Sequence, residues 1–81
     1  TFKYFFEKVN TGFFNKLQLK YPGLSGKDLK LCALTSLNMS IDETASVLNI
    51  ESNSVRIARY RLRKKMKLSP EESLYEALTS L

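Results

Sequence analysis

The chain contains no histidine, which puts a His-bearing zinc site and a His-dependent general base out of reach. It has one cysteine, Cys32, so an internal disulfide is excluded. No Gly-rich phosphate loop is present and nothing sets a nucleophile beside a base. The sequence therefore predicts no enzyme, no catalytic residue, no metal site and no cofactor. No apolar run approaches the roughly 20 residues of a membrane span, and the opening TFKYFF lacks the basic-then-apolar order of a signal peptide. The opening also lacks an initiating Met, which leads us to expect a piece cut from a longer protein. The expectation is a cytoplasmic domain, with a membrane anchor elsewhere in the full-length protein left open.

Acids are missing where bases are dense. Of the 13 Lys and Arg residues, seven fall between Ser52 and Lys67, and no Asp or Glu interrupts them. Read as a helix at ~100° per residue, this stretch gathers Val55, Leu62 and Met66 on one narrow stripe, with Ala58 and Arg59 at its edges. The opposite arc carries Asn53, Arg56, Ile57, Tyr60, Arg61, Lys64 and Lys67. A merely solvated face would hold Glu or Gln in place of the Ile and Tyr. A helix with its back in a core and a cationic, partly apolar front suits the major groove of double-stranded DNA. The net charge of +5 agrees with an anionic partner. A basic amphipathic helix can also serve a protein groove or an anionic membrane, but those partners call for bulkier apolar residues opposite the cations than Val55, Ala58 and Leu62.

With 81 residues, 43% of them hydrophobic, the chain makes a single domain with one modest core. Phe2, Phe5, Phe6, Val9, Phe13, Phe14 and Leu17 recur at helical spacing, interrupted at Asn10-Thr11-Gly12, and predict two short helices that cover the rest. The second should stop before Tyr21-Pro22. Ser25 caps a new helix over about 26–37, supported by Asp28. Leu29, Leu31, Cys32, Ala33, Leu34 and Leu37 make it apolar on several sides, and Cys32 reads as a packing residue. Ser40 and Glu43 form a capping box that starts a helix at Ile41, with Ile41, Ala45 and Leu48 inward. Asn49 ends it, and Ile50 is expected to plug the turn before the basic helix. This order is that of a helix-turn-helix. Ser69-Pro70-Glu71-Glu72 carries the signals of a last helix start, followed by a stripe of Leu74, Ala77, Leu78 and Leu81. That stripe fits the core or a second copy of the chain.

Leu24-Ser25, Lys27-Asp28, Leu31, Met39-Ser40, Glu43, Ala45, Leu48, Ile50, Ser54-Val55, Leu62 and Lys65-Met66-Lys67-Leu68 together resemble the LuxR/GerE family of bacterial helix-turn-helix domains. The Phe-rich start running into FFNKLQLKYPGLS, with LCAL, LNI and ARYRLRKK, is similar to a subgroup at the C-termini of large bacterial sensor proteins. The resemblance implies an all-α fold: a small helical bundle with four core helices at 24–81, preceded by a Phe-rich helical extension at 1–23. It implies that the helix over about 52–67 enters the major groove as the effector domain of a transcription regulator. Base-reading roles then fall on Asn53, Arg56, Ile57 and Tyr60, and phosphate contacts on Ser52, Ser54, Arg61, Arg63, Lys64 and Lys65. It further implies a homodimer in the full-length protein, with Leu74, Leu78 and Leu81 as candidate contacts, and no small-molecule substrate. RNA polymerase is a possible further partner. The alternative is a sigma-factor-like promoter-reading domain. The sequence departs from the family pattern at Asn38, Thr44, Glu51 and Ala58; Thr44 would stand where an Ile is usually buried.

Overall fold

Short amphipathic segments separated by strong cap signals produce six helices in a computed structural model, which describes residues 2–81 and side chains from Lys3 onward: α1 (Phe2–Val9), α2 (Phe13–Lys20), α3 (Gly26–Ser36), α4 (Ile41–Leu48), α5 (Ser52–Lys65) and α6 (Leu74–Thr79). There is no strand among the described residues, and no helix among them is long and apolar enough to cross a membrane. Helix α3 is the axis of the packing, with α4 and α6 against it, while α5 lies on α4.

The starts follow the expected chemistry. Ser25 and Asp28 exchange hydrogen bonds between side chain and backbone at the head of α3, and Ser40 and Glu43 do the same for α4. The carboxylate of Glu7 reaches out of α1 to accept from the N–H groups of Gly12 (3.1 Å) and Phe14 (3.3 Å), supplying anionic support at the start of α2. Gly12 stands there at φ 81°, a backbone angle that a Cβ would strain.

The ends share one device. Asn38, Asn49 and Lys67 adopt positive φ after α3, α4 and α5. The next N–H in each case reaches back to a carbonyl five residues earlier: Met39 to Leu34, Ile50 to Ala45 and Leu68 to Arg63. This satisfies carbonyls that the helix leaves open. Lys67 lies beyond the helix, so α5 ends two residues short of the expected limit.

The core joins all six helices except where they turn outward. Phe6, Phe13 and Phe14 pack edge to face or tilted, with centroids 5.1–5.5 Å apart. Together with Leu17 they merge into one cluster with Leu29, Leu31, Cys32, Ala33, Ala45, Val55, Leu62, Met66, Leu74 and Leu78. The extension at 2–23 is thus part of the same core.

Several expectations are corrected. Phe5 and Val9 face outward, because an eight-residue helix laid on a small core buries one narrow stripe, here through Phe6. The side chain of Phe2 lies outside the described ones. Leu37 is exposed, and Thr35 takes an inner place with its hydroxyl donating to the Leu31 carbonyl at 2.9 Å. Ile50 does not plug its turn: the left-handed Asn49 redirects the chain, and the Ile50 side chain is 44% exposed while its N–H closes the cap. The last helix starts four residues late. Ser69 and Glu72 do bond, through the Ser69 N–H to Glu72 Oε1 at 3.0 Å, but they close a single turn. Ser73 then caps α6 by accepting the Glu76 N–H. The second Ser-x-x-Glu prevails because it leads directly into Leu74 and Leu78, which are buried, whereas Pro70, Glu71 and Glu72 have nothing apolar to add.

Candidate nucleic-acid interface

Helix α5 divides by burial as its sequence pattern requires. Val55 and Leu62 are 0% exposed and Met66 is 4% exposed, each full burial adding roughly 1.5–3 kcal/mol to the hold on the helix. Ala58 and Arg59 are half-buried at the margins. All of Asn53, Arg56, Ile57, Tyr60, Arg61 and Lys64 are exposed, and they occupy one arc of a helix about 21 Å long. The four proposed base-reading residues, Asn53, Arg56, Ile57 and Tyr60, are brought together here. The Lys64 ammonium sits 5.1 Å from the Tyr60 ring centroid, within cation–π range. Among the described residues Arg56 and Arg61 have neither an ion-pair nor a hydrogen-bond partner.

The flanks of the same helix behave differently. Lys65 bonds the Asp28 carboxylate at 2.6 Å and ties the end of α5 to the head of α3. Burial alone would raise the Asp28 carboxyl, but hydrogen bonds from Lys65 and from Ser25 hold it below the ordinary aspartate range. Arg63 donates to the Ser69 carbonyl at 2.9 Å and fastens the turn that follows α5. The Ser52 hydroxyl donates to the Asp42 carboxylate at 2.6 Å, linking α5 back to α4. Three of the six expected phosphate contacts, Ser52, Arg63 and Lys65, are therefore engaged inside the protein. Ser54, Arg61 and Lys64 remain on the exposed surface.

Arg59 carries a role that the sequence pattern did not disclose. Its guanidinium donates to the Met39 carbonyl at 3.0 Å and to the hydroxyl of Thr44 at 3.4 Å. Thr44 is wholly buried, so the residue that stands in place of a buried Ile receives a hydrogen bond across the α4–α5 contact. The signal available in the sequence was an Arg at the edge of an apolar stripe and a Thr where an aliphatic was due. Burial depresses the Arg59 pKa, yet a guanidinium remains charged at neutral pH. Lys67, also on the exposed side, adds a cation just past the helix end.

The first turn of α5 has no side-chain cap, since Glu51 holds the capping position without making the hydrogen bond. Its carboxylate borders the start of the cationic arc, and at the far end Glu71 and Glu72 line a hollow together with Tyr60, Lys64 and Lys67. The arrangement offers hydrogen-bond donors, an aliphatic side chain and a phenol on one exposed surface. No protein family, curated protein or solved structure matches this chain.

Proposed function

We propose that this chain is a sequence-specific double-stranded DNA-binding effector domain of a cytoplasmic bacterial transcription regulator, of the LuxR/GerE helix-turn-helix kind, without chemistry of its own. Helix α4 braces α5, and α5 enters the major groove with Arg56, Ile57, Tyr60 and Asn53 against base edges. Arg61, Lys64 and Lys67 meet phosphates. One observation carries this reading: the flank residues Arg59, Arg63 and Lys65 each serve the fold, whereas Arg56 and Arg61 on the front arc of α5 have no ion-pair or hydrogen-bond partner among the described residues. Unpaired like charges held on a single face cost stability, and an anionic partner is what offsets that cost.

The full-length regulator binds as a homodimer in this account. Leu74 and Leu78 are 7% and 1% exposed inside the domain, and Leu81 packs on the core, which favours a contact through other residues of α6. Tyr75, Glu76 and Thr79 form the outward side of α6.

The testing experiment is an NMR titration of the labelled domain with a short duplex. The amides of Asn53, Arg56, Ile57, Tyr60, Arg61 and Lys64 should shift first, with α1 and α2 unmoved. Shifts centred on the exposed Tyr4, Phe5 and Val9 would refute the assignment.

A further inference from the structure

A second cationic feature lies beside the front arc and is separate from it. Arg59 and Arg63, one helical turn apart, both line a half-open hollow of about 310 Å³ shared with Thr35, Asn38, Ser73 and Tyr75. No carboxylate is among the residues lining it. Each guanidinium offers five N–H donors, and the hydrogen bonds to Met39, Thr44 and Ser69 use only three of the ten. The Arg59 Nε–H is buried with no acceptor. Ser73 Oγ accepts the Glu76 N–H and keeps its own hydrogen to donate. Glu72 is close enough for Arg63 to influence its carboxyl, but that carboxylate accepts from the Ser69 N–H and does not enter the hollow.

Two guanidinium groups with donors to spare, a partly desolvated positive charge and no acid in the wall describe a site for a small oxyanion. We propose that this hollow between α5, the α3–α4 turn and the start of α6 binds a phosphate group, held between Arg59 and Arg63 with Ser73 as an added donor. Occupation would brace α5 against the α3–α4 turn and the α6 cap at once. The phosphate can come from a duplex backbone lying along the neighbouring arc or from a free phosphate-bearing small molecule. The site stands independently of the DNA reading of the front arc.

The test is an NMR titration of arginine side-chain Nε–H signals with inorganic phosphate, against chloride at matched ionic strength. Arg59 and Arg63 should shift saturably while Arg56 and Arg61 stay in place. Arg63→Gln should weaken phosphate binding by about 10-fold, and Arg56→Gln should leave it unchanged. Arg63→Lys keeps the charge without the fork and guards against loss of fold; it should weaken binding as well, by less. Equal shifts at all four arginines, or none at Arg59 and Arg63 in the folded parent protein, would overturn the proposal. A duplex that displaces the bound phosphate identifies the backbone as the source, and a duplex that leaves it bound identifies a small molecule.

Discussion

Arg56 and Lys64 share a surface but differ in what they can do to DNA. A guanidinium can donate two parallel hydrogen bonds to guanine, while an ammonium is a compact point charge. Arg56→Ala should therefore cost roughly 1–3 kcal/mol in specific binding and relax the preference at one base pair. Lys64→Ala should weaken specific and random duplexes alike. Selection of sites from random DNA with each variant distinguishes them, and altered base preference for Lys64 with none for Arg56 would place the reading end of α5 wrongly. Lys65 makes a contrast: because its ammonium is held by Asp28, Lys65→Ala should change DNA affinity little and act on stability. This division was only partly legible. The inward stripe of Val55, Leu62 and Met66 follows from spacing within one helix, whereas the capture of Lys65 depends on Asp28, 37 positions away. No local pattern reports that pairing.

Helix termini carry most of the local information in this chain, and they show where sequence signals compete. The starts of α3 and α4 were legible because each has a single cap with an acid three residues on. The start of α6 was not, because Ser69 and Ser73 both head a Ser-x-x-Glu and only burial of Leu74 and Leu78 decides between them. Ser73→Ala should cost about 1 kcal/mol, and Ser69→Ala less, since the turn at Ser69 is closed by its backbone groups; denaturant titration of the two variants measures the difference. At the end of α5, Lys67 holds a φ of 56°, which glycine adopts without a Cβ penalty. Lys67→Gly should stabilise the domain by roughly 1 kcal/mol while removing one cation from the exposed face. The caps also set the acid response. Asp28, Glu43 and Glu72 are all held below their ordinary values; burial opposes this at Asp28 but hydrogen bonds from Lys65 and Ser25 prevail, and Ser40 and Ser69 act on the two glutamates. A carboxyl whose folded pKa is lowered stabilises fully above its unfolded value and loses that contribution as pH falls through the folded one. Thermal midpoints should therefore decline as pH drops below about 4, and Asp28→Asn should flatten part of that decline.

As a whole the protein is one core with its densest run of cations on α5. The all-helical class and the place of the basic helix follow from periodicity and charge. The outward turn of Phe5, Val9, Leu37 and Ile50 does not, because a core this small has room for only some of the apolar residues offered to it. The buried thiol of Cys32, pushed up to about 12 first by burial and then by the charge of Asp28, belongs to that core and should react with alkylating reagents only on unfolding. The central claim is that the front of α5 meets the DNA backbone with its exposed cations. Binding of duplex DNA measured over a series of salt concentrations tests it most directly. Each neutralised phosphate adds about −0.9 to the slope of log K against log salt, so the three cations placed on phosphates, Arg61, Lys64 and Lys67, give a slope of about −3. A slope near zero, or no binding at low salt by a folded domain, would contradict the account.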